Sequence, residues 1–299
     1  MKKILITGAS GQLGGSLHHF LKNIYSVIPT TKEIIKDNQL NSRLLKLDIS
    51  KKNEVVNILK KFNPDIVINC AAYSDVDGNE KNKNLAYKVN VEGLKHIIQY
   101  TSKDTYIIQI SSDYVFDGNS GPYSECDSTF PINYYGKTKL EAENLLRGSI
   151  KKWVIIRPNV IYGEDIFCKA NFFGWIYRNL INNKKINIVD DQISNPIYIE
   201  QICKIIFQCI IMKYEGILHV GSDNYISRLD FAYQVAEVFL FDKALITSIS
   251  TKELSEKNSS YIAKRPMDSS LNITKVENEI NISMVSTLFS LQKIKQNLC

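Results

Sequence analysis

Short apolar runs alternate with longer segments of helical periodicity through the first half of the chain. "KILIT" (3–7) precedes a helical pattern from Gln12 to about Asn23, "YSVIP" precedes a polar segment, and "LLKLD" (44–48) precedes a helical pattern ending near Phe62. The series continues with "DIVINCAA" (65–72), a helix over about Leu85 to Thr101, "TYIIQISS" (105–112), a helix from about Pro131 to Leu146, and "WVIIRP" (153–158). A strand that is apolar throughout must be covered on both faces, and helices between such strands supply the cover. The pattern therefore predicts an α/β architecture, a doubly wound parallel sheet. From Tyr162 onward the alternation weakens and aromatic, Asn-rich stretches such as "KANFFGWIYRNL" take over, which predicts a smaller second region.

The first strand-to-helix turn is glycine-rich. "ITGASGQLGGSL" places Gly8, Gly11 and Gly14 directly after the first strand, with Gln12 and Leu13 among them at the start of the first helix. Glycines permit a tight turn and close backbone approach, and a helix amino end offers N–H groups and a positive dipole to a pyrophosphate. A Rossmann-like dinucleotide site is expected there. The expected division is 1–162 as the dinucleotide-binding domain, with about 196–214 packing back onto it, and 163–195 with 215–299 as a smaller C-terminal substrate domain.

The cofactor's identity rests on the second strand. In NAD-binding folds its end delivers an acidic residue to the ribose, but here it reads Pro29-Thr30-Thr31-Lys32, with Glu33 past the expected strand end. Lys32 suits a 2′-phosphate instead, so NADPH is favoured and NADH stays open. Asp48-Ile49 closes the third strand, where the Asp48 carboxylate either accepts from an adenine amino group or caps the next helix. "NCAAY" ends the fourth strand with the small residues Cys70, Ala71 and Ala72 before Tyr73, which permits close approach of a ligand or of a helix.

"SSDYVFDG" (111–118) interrupts the end of a buried strand with hydroxyls and carboxylates, and Tyr135-Gly136-Lys137-Thr138-Lys139 follows. A Tyr and a Lys at i, i+4 share one helical face, where the ammonium stabilises the phenolate and lowers the phenol pKa from about 10 toward the range useful for proton transfer. Ser112 then donates to the same reacting oxygen. A strand that ends on hydroxyls holds a carbonyl.

Composition narrows the partners. The chain has 299 residues, 44% apolar content and a net charge of +6 spread over many clusters, which favours anionic small molecules over nucleic acid. Cys70, Cys126, Cys168, Cys203, Cys209 and Cys299 are scattered with no zinc spacing, so reduced thiols, no metal and a cytoplasmic setting are expected. The most apolar later stretch, 199–212, contains Glu200 and Lys204 and falls short of the roughly 20 residues a membrane span needs, so a buried amphipathic helix and no membrane association are expected.

Taken together, "GASGQLG", "NCAAYSDVD", "SSDYVFDG", "GPYSECDSTFPINYYGKTKLEAE", "RPNVIYG", "DDQISNP" and "RPMDSSLN" resemble, in order and over nearly the whole chain, signatures of the extended short-chain dehydrogenase/reductase superfamily and, within it, the dTDP-4-dehydrorhamnose reductase family. The resemblance implies Ser112, Tyr135 and Lys139 as the catalytic set, with Lys139 also on the nicotinamide ribose. It places Ser74 and Val76 in the sugar pocket, and Pro158 and Asn159 near the nicotinamide, Asn159 being assigned with the substrate. Asp113 and Tyr114, beside Ser112, are assigned to the substrate as well. Arg265, in "KRPMD", is a candidate for the substrate diphosphate, since a guanidinium fork matches phosphate oxygens, although a surface salt bridge is the alternative.

Departures from the family pattern bear on specificity. Ser112 stands where the family usually has Thr, "PNVIYG" replaces "TSWVYG", and "DQISNPI" replaces "DQFGAPT", so an aromatic platform for the sugar becomes Val160. Sugar-nucleotide 4,6-dehydratases need an Asp-Glu pair after the hydroxyl, but Asp113 is followed by Tyr114. GDP-fucose synthases carry Cys where this chain has Asp113. The expected activity is therefore simple reduction of the C4 ketone of a nucleotide-linked 4-keto-6-deoxyhexose in surface-polysaccharide sugar biosynthesis. A catalytically silent NADP-binding regulatory subunit and a reductase of a different 4-keto sugar are the alternatives. The assembly, a homodimer among the options, is left open.

Overall fold

The run Lys3–Thr7 forms β1, buried from Ile4 onward because parallel neighbours flank it on both sides. The computed structural model describes residues 1–33, 44–165, 168, 171–260 and 263–298; Lys169 and Ala170 of the aromatic stretch quoted above, and Cys299, lie outside them. After β1 come α1 (Gln12–Leu21), β2 (Ser26–Thr31), β3 (Leu45–Lys46), α2 (Lys52–Phe62) and β4 (Ile66–Asn69). Next are α3 (Val76–Lys81), α4 (Lys83–Tyr87), a π-helical turn (Lys88–Glu92), α5 (Gly93–Tyr100), β5 (Tyr106–Ile110), α6 (Tyr134–Arg147) and β6 (Lys152–Pro158). Strands β1 to β6 pair in parallel with the order β6-β5-β4-β1-β2-β3. Residues such as Leu5, Val67, Ile107 and Ile155 pack in one cluster with Val55 and Leu59 of α2, Leu94 and Ile97 of α5, and Ala142 and Leu146 of α6.

The helix predicted over about Leu85–Thr101 starts earlier and is divided. Asp75 accepts from the Gly78 amide and Asn82 from the Leu85 amide, so each cap begins a new helix. Gly93 opens α5 hard against the third strand's end, where a Cβ would stand 2.6 Å from Ile49 Cδ1.

The second half contributes β7 (Ile161–Tyr162), α7 (Phe172–Leu180), β8 (Ile186–Val189), β9 (Ile193–Ser194), β10 (Ile197–Tyr198) and α8 (Ile199–Met212). It closes with β11 (Gly216–Val220), β12 (Ile226–Ser227), α9 (Arg228–Phe239), β13 (Ile246–Ile249), α10 (Thr251–Lys257), α11 (Thr274–Ile280) and α12 (Thr287–Leu298). β11 joins the main sheet beside β6, making seven strands. Two compact units result: Met1–Ser112, Tyr134–Arg157 and Cys203–Leu218 form one, and Asp113–Asn133, Pro158–Ile202 and His219–Cys299 form the other.

Within the first unit, Phe207 of α8 packs edge-on against Phe20 and Tyr25, while Ile205, Ile206, Cys209 and Ile210 form the buried face of that helix. In the second unit, Phe172, Phe173 and Tyr177 of α7 meet Phe231, Phe239 and Phe241, so the aromatic stretch is core. Among the described residues no helix is long and apolar enough to cross a membrane, and no group of three or more His, Cys, Asp or Glu is placed to hold a metal ion.

Candidate active site

Glycine shapes the turn after β1. Gly8 adopts φ +67, a left-handed conformation that costs a residue with a Cβ, and a Cβ there would stand 2.9 Å from the Ala71 backbone. A Cβ on Gly14 would stand 2.4 Å from the Gly8 carbonyl oxygen. The end of β4 and the first turn of α1 therefore close on the loop only because these positions lack side chains.

Gly11 caps α1 without a side-chain hydrogen bond, and no acidic residue stands in the first turn. The positive end of the helix is thus left for an anion. Gln12 adds a buried Nε2 with no hydrogen-bond partner in the protein, and leaving such a donor unsatisfied costs about 1–3 kcal/mol. Loop, helix end and orphan donor fit a dinucleotide pyrophosphate. Leu13 is buried on α1.

At the end of β2, the Thr31 hydroxyl donates to the Glu33 carbonyl at 3.1 Å and meets Ser10 Oγ of the glycine loop at 2.7 Å. Since the Thr31 proton is spent on Glu33, Ser10 is the donor. Lys32 stands exposed between these anchored residues. Asp48 Oδ1 accepts from the amide and hydroxyl of Ser50 at 3.0 and 2.7 Å, while the Ile49 side chain goes into the core and its carbonyl faces His96 Nδ1 at 3.0 Å. Cys70, Ala71, Ala72 and Tyr73 continue from β4, partly buried.

A ladder of buried polar groups runs across the strand ends. The Ala71 amide donates to Thr7 Oγ1, Thr7 Oγ1 to Asn69 Oδ1 at 2.6 Å, and Asn69 Nδ2 to Gln109 Oε1 at 2.8 Å. Gln109 Nε2 reaches the carbonyl of Ile110, the last residue of β5, at 2.8 Å, and the same carbonyl accepts from Lys139 Nζ at 2.5 Å. The ladder joins the residue before the glycine loop to the lysine of α6. Ser112, two residues past Ile110, is buried there, and Tyr135 lies one turn before Lys139 on the same face of α6, half-buried.

Burial pushes the Lys139 ammonium down to about 8, against the opposing pull of the Glu143 carboxylate. It pushes the Cys70 thiol up to about 12, so that group is a neutral neighbour at pH 7. A second network fixes the helix: Tyr73 N–H donates to Asn90 Oδ1 at 2.8 Å, Asn90 Nδ2 to Thr138 Oγ1 at 2.9 Å, and Thr138 Oγ1 to the Tyr135 carbonyl at 2.8 Å. Ser74 is exposed and Val76 half-buried at the start of α3.

In the second unit Asp113 and Tyr114 are buried in a short 3-10 turn. The following Gly118, at φ +82, lies against "RPMD": a Cβ there would stand 2.4 Å from Pro266, and the Asp268 amide donates to its carbonyl at 3.0 Å. Two stretches far apart in sequence thus meet, with Arg265 between exposure and burial and its NH1 donating to the Ala263 carbonyl. Pro158 is buried at the end of β6. Asn159 is turned inward, donating to the Ser269 carbonyl at 2.9 Å and accepting from the Val160 amide at 2.7 Å.

Sequence reasoning missed three groups. Asn90 is one. Glu143 and Arg157 are the others, a fully buried pair in which Arg157 Nε and NH2 meet Oε1 and Oε2 at 2.9 and 2.6 Å, with Ser111 Oγ also donating to Oε1. Of the three only Arg157 carried a signal, a charged side chain inside the apolar run "WVIIRP" that pattern assigns to the core.

A glycine turn fitted to a pyrophosphate after β1 and a Tyr–Lys face at the end of β5, two strands away, define a nucleotide-dependent oxidoreductase of the extended short-chain dehydrogenase/reductase class. A family model described as the RmlD substrate binding domain matches residues 1–298. The chain is 32% identical to the dTDP-4-dehydrorhamnose reductase of Aggregatibacter actinomycetemcomitans over 99% of each chain. It is similar to a crystal structure of the Bacillus anthracis dTDP-4-dehydrorhamnose reductase in complex with NADP, with a TM-score of 0.88 at 28% identity over 99% of this chain and 100% of that one. A second such reductase structure, from Clostridium acetobutylicum, gives a TM-score of 0.86 at 31% identity over 99% of both. The chain belongs to the dTDP-4-dehydrorhamnose reductase family.

Proposed function

We propose that this protein reduces the C4 ketone of a nucleotide-linked 4-keto-6-deoxyhexose with NADPH, as a dTDP-4-dehydrorhamnose reductase does. The observation that carries the reading is the Lys139 ammonium bonded to the Ile110 carbonyl, which sets the Tyr135–Lys139 face at the strand end that Ser112 occupies. Bound NADPH supplies the hydride. Gly8, Gly11, Gln12, Leu13 and Gly14 hold the pyrophosphate, Lys32 the 2′-phosphate, Asp48 and Ile49 the adenine side, and Cys70 to Tyr73 with Pro158 the nicotinamide side.

Ser112 donates to the ketone oxygen and fixes it. Tyr135 gives its proton to the forming alkoxide, and Lys139, still charged near pH 7, stabilises the phenolate left behind and orients the nicotinamide ribose. Ser74 and Val76 of the first unit are assigned to the sugar. The second unit is assigned the substrate-binding role, with Asp113, Tyr114 and Arg265 toward the nucleotide sugar and Asn159 holding Ser269 in place. A cytoplasmic setting goes with this reading.

The test is a panel of nucleotide-linked 4-keto-6-deoxyhexoses incubated with protein and NADPH, following the absorbance of the reduced cofactor. Oxidation with one member of the panel supports the reading. NADPH binding without oxidation by any of them points to a silent regulatory subunit instead.

A further inference from the structure

Tyr135, Lys139 and Glu143 stand at i, i+4 and i+8 of α6, one stripe down the helix. The first two belong to the proton-transfer step; the third is not needed by it. Yet Glu143 is 0% exposed, and both of its oxygens are engaged: Oε1 by Arg157 Nε and Ser111 Oγ, Oε2 by Arg157 NH2. Ser111 is fixed in turn through its amide, which donates to the Ile156 carbonyl at 2.7 Å. A carboxylate held by a fork and a hydroxyl cannot swing toward the lysine one turn away.

That restraint has a consequence for Lys139. A lysine paired directly to a mobile carboxylate would be drawn down the helix, away from Ile110. A clamped carboxylate acts on the ammonium through its field alone and leaves it on the Ile110 carbonyl. Buried ion pairs are weak stabilisers compared with apolar packing, so fold stability alone does not account for three donors gathered on one carboxylate.

We infer that Glu143, clamped by Arg157 and Ser111, is a positioning residue that keeps Lys139 charged and aimed, and through Lys139 sets the acidity of Tyr135. This rests on the reductase reading above. The charged group acting on Lys139 is Glu143, with burial opposing it, while Cys70 at the end of β4 is a neutral thiol in the working pH range. Removing the carboxylate makes proton loss from Lys139 easier, and a neutral Lys139 stabilises the Tyr135 phenolate less.

The test compares Glu143→Gln, Ser111→Ala and the paired Glu143→Leu/Arg157→Met variant with the native protein. Should Glu143→Gln fail to fold because it strands the Arg157 charge, the paired variant removes both charges into similar volume; since it removes no net charge, it is expected to give shifts of the same sign as Glu143→Gln and smaller size. Two quantities are read: the alkaline limb of turnover against pH, and the Tyr135 phenolate step, obtained as the ultraviolet difference titration between each protein and its Tyr135→Phe derivative. Loss of the carboxylate in Glu143→Gln is expected to move the alkaline limb, set by Lys139, to lower pH by about one unit, the size typical of a nearby opposite charge, and to move the Tyr135 phenolate step to higher pH, because a neutral Lys139 no longer stabilises the phenolate. Ser111→Ala gives smaller shifts in the same directions. A folded variant whose limb and phenolate step coincide with the native ones, with only its melting temperature changed, overturns the inference. If the native protein turns over no ketone, the reductase reading fails on that observation, and the phenolate step alone still decides the role of Glu143.

Discussion

The Lys139 ammonium lies 2.5 Å from the Ile110 carbonyl oxygen, which also accepts from the Gln109 side chain. A cation is thus buried on a strand end with its proton held loosely, near 8 instead of 10.5. Between those two pH values the unfolded chain binds the proton and the folded one has begun to release it, so stability conferred by this site rises with pH across the window. Lys139→Met should lack that rise. Urea melts at intervals from pH 7 to 10.5 should show the variant most stable relative to the native protein at pH 7, with the gap narrowing as pH increases. A constant gap would contradict the buried, loosely held proton.

Gly14→Ala should abolish cofactor binding and destabilise the fold, because the new Cβ would sit 2.4 Å from backbone oxygen that cannot move without opening the Gly8 turn. Fluorescence titration with NADPH and a thermal melt report the two losses. Native affinity in this variant would show that the loop is not the pyrophosphate cradle.

Lys32→Ala should weaken NADPH binding about tenfold or more and leave NADH binding nearly unchanged, since a charge-assisted contact to phosphate is worth about 1.5–3 kcal/mol. Calorimetric affinities for both nucleotides settle this. Equal losses for the two would remove the 2′-phosphate from the role of Lys32.

Much of this site could be read from the chain because its parts act locally. The glycine turn needs only a strand before it and a helix after it, and Tyr135 and Lys139 share a face on any helix that spans them. The clamp on Glu143 could not be read that way. Arg157 lies on the strand after the helix, fourteen residues on, and a Glu in a helix with Lys and Asn neighbours reads as solvated until tertiary packing closes over it. Asn90 was hidden for the same reason, since its partners Tyr73 and Thr138 are 17 and 48 residues away. The early start of α3 was missed because Val76–Lys81 has little apolar periodicity and owes its start to the Asp75 cap.

Gly118→Ala should lower stability by about 2 kcal/mol or more, combining a left-handed backbone with a Cβ pressed onto Pro266. Differential scanning calorimetry measures the loss, and the wild-type melting temperature in the variant would contradict the packing of 118 against "RPMD". Substrate KM should rise with it, because Arg265 directly precedes the Pro266 that the new Cβ displaces.

The proton donor is the centre of the account, and Tyr135→Phe tests it most directly. With NADPH and the nucleotide-linked 4-keto sugar that the native protein reduces, the variant should bind NADPH with native affinity and turn over about 10²- to 10⁴-fold more slowly. Native turnover in Tyr135→Phe would contradict the mechanism.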